Sequence, residues 1–292
     1  MSDRFRWARG FAANRRGVAI VEFALVFPVA VLVAYAAFNL SRLANAEREL
    51  AHLSDDIAQM IVETQAPYTT QSNSVAYCQA TAPTTCGALY DYALKYIYDS
   101  AMVEFPDILT DPNGVSNQAI KAPSSGGTLS ISMTGVVFAY TPSAATCGAT
   151  PSVANAGCYT GYVVWTSGAA TRPCSTAYLL TASYSTPTPS QLPPALFTTV
   201  ANPNSASALP PLFAVVVDVV YTFKPLLSGG SMFDIVPPVT IKRSTFLNPR
   251  YVSQISYFGA GNATANNYGA GTYGTACAMP GGWPSGLSAW PH

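Results

Sequence analysis

The chain has 292 residues, room for one large domain or two small ones. Charged residues make up only 10% of it, far below the usual quarter, while glycine and proline number 21 and 23. The formal net charge is zero, but Arg4, Arg6, Arg9, Arg15 and Arg16 all precede residue 17, which leaves nine basic and 13 acidic residues beyond Gly17. No basic patch therefore remains outside the leader, which excludes nucleic-acid binding. The composition favours an extracytoplasmic, β-rich, loop-heavy protein over a cytosolic enzyme.

Val18 to Phe38 is a run of 21 residues containing one ionised side chain, Glu22, and one proline, Pro28. About 20 apolar residues in helical form span a bilayer, so this run is expected to be a transmembrane helix, with Pro28 as a kink. The arginines before it place the N-terminus in the cytoplasm and the bulk of the chain across the membrane. A carboxylate inside a bilayer costs roughly 2.5 kcal/mol or more, so Glu22 is either snorkelling to the headgroups or functional with a partner.

The residues ahead of Glu22 suggest that partner. Arg15-Arg16-Gly17 is followed by Val18, and Glu22 is the fifth residue after Gly17. A cut after Gly17 would leave a cationic α-amine on Val18, which a neighbouring subunit's Glu22 could neutralise as helices stack. Gly17 has no side chain to obstruct access to its peptide bond.

This arrangement resembles the leader of type IV pilins and pseudopilins: basic leader, Gly17, four apolar residues, Glu22, then Phe23. More narrowly, RRGVAIVEFALVFPVAVLV resembles the start of TadE-type proteins of the tight-adherence (Tad/Flp) pilus system. The likeness runs from Arg15 to about Ile61. It implies a minor pseudopilin, processed by a prepilin peptidase, whose partners are the inner membrane, other pilins and pseudopilins, and the pilus assembly platform. A cleaved secretory signal is the rival reading, with small residues at Ala34-Tyr35-Ala36 or Ala44-Asn45-Ala46. Against it, 21 apolar residues exceed the usual 7–15 of such a segment.

The helix is expected to continue through Ser41 to Glu63. Leu43, Ala46, Leu50, Leu53, Ile57 and Met60 recur at spacings of three and four, a seam for docking onto a sheet and onto neighbouring helices. His52, beside the seam, has no ligand partner at metal spacing. A second amphipathic helix is expected over Leu89 to Phe105, with Tyr92, Ala93, Tyr96, Ile97 and Met102 on its apolar side and Pro106 ending it. Asp111-Pro112-Asn113-Gly114 reads as a turn.

Strands are expected at Thr128 to Tyr140, Tyr162 to Thr166, Leu212 to Leu227 and Val239 to Leu247, the last two forming a hairpin. Asp218 interrupts a β-branched run and, if buried, needs a donor. Residues 171–211, rich in Pro, Thr and Ser, are expected to form surface loop, and the tail from Gly259 to be irregular. The hairpin, with Lys224-Pro225-Leu226-Leu227, Lys242-Arg243-Ser244 and Asn248-Pro249-Arg250, also resembles the C-terminal half of TadE-like proteins.

Six cysteines, Cys78, Cys86, Cys147, Cys158, Cys174 and Cys277, all lie beyond the membrane segment. An even count there implies disulfides with 15 possible connectivities. Nearness in sequence suggests Cys78–Cys86 and Cys147–Cys158, which leaves Cys174–Cys277.

Catalysis finds little support. Only His52 and His292 could serve as a histidine base, and no Gly-x-Ser-x-Gly elbow exists. Gly269, Gly271 and Gly274 match a dinucleotide-binding spacing without the strand and helix that give it meaning. No metal site, cofactor or catalytic residue is expected. Tyr268, Tyr273, Trp283 and Trp290 could form a surface-binding patch, or simply pack a loop-rich tail.

The expected architecture is α+β and pilin-like: a long N-terminal helix whose distal half packs on an antiparallel sheet of about four strands, with long disulfide-linked loops. The divisions are a leader (1–17), a transmembrane helix (18–40), a stalk helix (41–65), a periplasmic domain (66–258) and a tail (259–292). The expected function is structural, in a bacterial inner membrane crossed once. The alternative is a signal-anchored or secreted surface-binding protein of adhesin type that uses the aromatic tail.

Overall fold

The computed structural model describes residues 15–64, 86–110, 120, 128–140, 159–169, 172–174, 177–179, 212–225, 238–252, 254–257 and 273–277. Two compact units divide the chain: residues 1–47 with 224–238, and residues 48–223 with 239–292. The first helix, α1, is Arg15–Val62, 48 residues with Pro28 inside it.

In the first unit, α1 bears its apolar run in the open. Twelve large apolar side chains between Ile20 and Leu40 are exposed, from Val31 at 48% to Leu25 at 72%. Burying such a side chain is worth about 1.5–3 kcal/mol, so in water this surface would forgo on the order of 20 kcal/mol. Length and composition make α1 able to cross a membrane.

The second unit is built on a six-stranded antiparallel sheet. Its strands are β2 (Leu129–Tyr140), β3 (Tyr159–Gly168), β4 (Ala177–Leu179), β5 (Leu212–Phe223), β6 (Val239–Leu247) and β8 (Gly274–Ala276). The order is β4-β3-β2-β5-β6, with β8 also on β3. A separate parallel pair joins β1 (Cys86–Leu89) to β7 (Gln254–Tyr257). Between β1 and β2 come α2 (Asp91–Glu104) and a 3-10 turn at Pro106–Thr110.

The β-branched run of β5 explains its interior place, between β2 and β6. Phe213 through Val219 are all buried, so both faces are covered. On one face Tyr221 meets Phe105, the C-cap of α2, edge to face at 4.8 Å between centroids. The same face receives the last turns of α1, where the Ser54 and Thr245 hydroxyls lie 2.8 Å apart and Thr245 donates to Asp55 at 2.8 Å. Leu50, Leu53, Ser54, Ile57, Ala58, Ile61 and Val62 are buried. They form a stripe at spacings of three, four, seven and eight, the width of a globular core face rather than of a coiled-coil seam. Leu43 and Met60 of the expected seam are only half-buried.

Two glycines are required by close packing. A Cβ on Gly135 would sit 2.2 Å from Nε1 of Trp165, which lies flat across it and donates to the Ile255 carbonyl at 2.8 Å. Gly168 ends β3 with φ +87°, and a Cβ there would meet the Ile131 carbonyl oxygen at 2.0 Å.

Several sequence expectations are corrected. Leu89 belongs to β1, and α2 starts at Asp91. Its buried face is Leu94, Ile97, Tyr98 and Ala101, whereas Tyr92 and Tyr96 are exposed. The sequence pattern puts Tyr92 and Tyr96 on the apolar side with Ile97, but Leu94, Tyr98 and Ala101 take that side with it. The 171–211 stretch is not all surface loop: Arg172 is fully buried and β4 lies within it. The tail contributes β8, because residues 274–276 complete the outer side of β3. The sheet has six strands rather than four, and the additions are the short β4 and β8, which carry no periodic signal. The 111–114 turn, Tyr268, Trp283, Trp290 and His292 lie outside the described residues.

Candidate functional site: the head of the first helix

The backbone of Arg15, Arg16, Gly17 and Val18 forms the first turn of α1, and their side chains lie outside the described residues. Glu22 follows one turn after Val18, and its side chain is exposed. The rise per residue sets Val18 and Glu22 about 6 Å apart along the axis, on one face. Phe23 stacks on Phe27 with centroids 5.3 Å apart, a ridge beside Glu22. At Pro28 the helix loses its bond to the Ala24 carbonyl but runs on unbroken. The head of α1 therefore presents one carboxylate on an otherwise apolar cylinder, an arrangement that attracts a cation in a medium of low dielectric.

Of the cysteines, Cys174 and Cys277 form a disulfide with Cα atoms 5.2 Å apart. Cys86 opens β1, with its side chain outside the described residues, as are Cys78, Cys147 and Cys158. Among the described residues no group of three His, Cys, Asp or Glu could hold a metal ion. His52 lies exposed on α1.

The structure joins residues that sequence reading left apart. Asp218 is buried on β5 and accepts from Arg172 twice, Nε to Oδ2 at 2.7 Å and Nη2 to Oδ1 at 3.0 Å, and from the Ser244 hydroxyl at 2.6 Å. Arg172 also lies over the Phe246 ring at 5.5 Å. Arg172 was not singled out from sequence. The available signal was the need of Asp218 for a donor in a chain with few cations.

Tyr273 of the candidate aromatic patch is buried against Tyr98, 6.0 Å between centroids, so it packs instead of facing solvent. A second buried network holds this tail segment. Asp91, at the start of α2, accepts the Tyr273 amide at 2.9 Å and the Tyr257 hydroxyl, and Tyr257 in turn accepts the Gly274 amide at 3.2 Å. Tyr98 donates to Ser167 at 3.0 Å while Ser167 donates to the Tyr273 carbonyl. Burial pushes the hydroxyls of Tyr98 and Tyr257 well above the ordinary tyrosine range, so both stay protonated donors.

Comparison with known families places a match at the head of the chain. The family described as TadE-like protein matches residues 17–59, from Gly17 into the buried stripe of α1. No curated protein and no solved structure matches the chain. The matched segment and the apolar helix coincide: over residues 17–59 the chain is similar to TadE-like proteins, along a helix long and apolar enough to cross a membrane.

Proposed function

We propose that the chain is a minor pseudopilin-like structural protein that helps assemble a Tad/Flp-type pilus or a related secretion apparatus. The observation that carries this reading is the coincidence of Arg15-Arg16-Gly17 and Glu22-Phe23 with the start of an exposed apolar helix that matches the TadE-like family. In this reading the basic leader stays in the cytoplasm, α1 crosses the bacterial inner membrane once, and the α+β unit lies in the periplasm. A prepilin peptidase hydrolyses the Gly17–Val18 bond, leaving the carboxylate on Gly17 and a protonated α-amine on Val18. Glu22 of an adjacent subunit in the growing assembly then neutralises that amine, which fixes the helix register. The partners are the peptidase, other pilins and pseudopilins, and the assembly platform.

The experiment is the N-terminal residue and intact mass of the protein purified from membranes of a host carrying the cognate peptidase. The expected start is Val18. A start at Met1 would mean an uncleaved anchor. A start near Ala37 or Glu47 would mean an ordinary signal peptide and would sink the pilus reading.

A further inference from the structure

Outside α1, three of the five exposed large apolar side chains among the described residues lie on α2: Tyr92, Tyr96 and Val103. Val103, at 80%, is more exposed than any apolar side chain of the membrane run. Spacings of four and seven put the three on one face of α2, turned away from the buried Leu94, Ile97, Tyr98 and Ala101. The Tyr92 ring is held in place by stacking on Tyr90, with centroids 5.3 Å apart. Such spacing makes a ridge that seats in the groove of a second helix. A contiguous apolar ridge left to water on a soluble unit marks a partner surface.

Charge sets which helix fits. Ser100, one turn on from Tyr96, donates to the Met60 sulfur at 3.7 Å, so the last turns of α1 run alongside α2. One turn from Met60 stands Asp56, and one turn from Ser100 stands Glu104, both exposed. Partial burial and the nearness of Asp56 hold the Glu104 carboxyl above its usual range, so the two carboxylates are close enough to repel. Neither is bonded to a cation among the described residues. A lysine or arginine brought between them from outside relieves the repulsion. A two-fold contact with a second copy would set the face against itself and add two more carboxylates to the interface. The acidic flank therefore favours a cationic partner over the chain's own copy.

We propose that the face formed by Tyr92, Tyr96 and Val103, with Asp56 and Glu104 on its flank, is a docking site for an amphipathic helix of another protein chain that carries lysine or arginine beside its apolar ridge. Apolar burial provides the affinity, and the paired carboxylates select the cation. This inference is independent of cleavage after Gly17.

The test uses the full chain in maltoside micelles. The probe is the stapled helical peptide Ala-Leu-Lys-Ala-Gln-Leu-Ala-Gln-Leu-Lys-Ala-Gln-Leu-Ala, bearing a benzophenone on its leucine ridge, with a version in which glutamate replaces lysine as control. Fluorescence anisotropy, corrected for protein-free micelles, gives the affinity, and mapped photocrosslinks give the place. Crosslinks are expected at residues 92–104 and in the last turns of α1. Tyr96→Ser/Val103→Ser, which alters only exposed side chains, is expected to weaken the lysine peptide about tenfold. Asp56→Asn/Glu104→Gln is expected to cut the preference for the lysine over the glutamate peptide about fivefold, the scale of two exposed charge pairs. Crosslinks confined to other surfaces overturn the proposal, as does equal binding of the two peptides. Affinity unmoved by Tyr96→Ser/Val103→Ser overturns it too. Self-association of the chain that depends on Tyr96 and Val103 and excludes the peptide would assign the face to a second copy instead.

Discussion

Arg172 and Asp218 form a buried two-pronged ion pair, 2.7 and 3.0 Å, between a segment of low charge and the interior strand β5 of the sheet. Cys174, two residues from Arg172, is bonded to Cys277 just after β8. One short segment is thus tied to the middle of the sheet by charge and to its outer side by a covalent bond. Removing one partner of a buried pair strands the other, at a cost of about 3–5 kcal/mol. Asp218→Ala and Arg172→Met are each expected to destabilise the domain by that amount in urea unfolding. The double variant Arg172→Met/Asp218→Leu should recover most of the loss. A full loss in the double variant would show that the pair contributes more than mutual compensation.

Reduction or double substitution of Cys174 and Cys277 opens a loop closed across 103 residues. The chain-entropy account assigns such a crosslink about 4–5 kcal/mol. Cys174→Ser/Cys277→Ser should lower the unfolding midpoint accordingly, and reductant should lower the parent protein to the same level. A midpoint unmoved by either treatment would remove the crosslink from the stabilising set.

Gly135→Ala forces a methyl group onto the Trp165 indole, 2.2 Å from Nε1. Overpacking of this kind costs about 1–3 kcal/mol, and displacement of the indole also breaks its bond to Ile255. A lowered unfolding midpoint with a red-shifted tryptophan emission is expected. The contrasting result is an unshifted spectrum, which would mean that the sheet absorbs the methyl group without moving the ring.

Glu104 ends α2, and partial burial together with nearby Asp56 holds its carboxyl above the usual range. The folded state therefore binds this proton more tightly than the unfolded chain, so stability falls as pH rises through the carboxylate range and just above it. Glu104→Gln should raise the urea midpoint slightly at pH 7, an effect kept small by solvent screening, and the gain should vanish near pH 4. A gain that persists at pH 4 would point to a cause other than charge.

Glu22→Ala removes the carboxylate from the head of α1 without touching the Gly17–Val18 bond. Cleavage is expected to be retained, as read by the mature mass, while incorporation into the assembly drops severalfold. Normal incorporation would argue against a pairing between Glu22 and the new amine.

Sequence alone determined the long helix and the main strands, because each rests on local periodicity. An apolar run beyond 20 residues admits one conformation in lipid, and a β-branched run such as that of β5 fits a doubly covered strand. The Gly17-to-Glu22 spacing and the Asp218 requirement for a donor were legible for the same reason. Tertiary structure decided the rest. The three-residue strands β4 and β8 exist only because β3 offers an unpaired edge, and β1 only because β7 lies alongside it. The face of α2 was settled by packing of Leu94, Ile97 and Tyr98, where local pattern allowed the tyrosines an equal claim. The donor to Asp218 came from 46 residues away, and no local rule can place a partner across that distance.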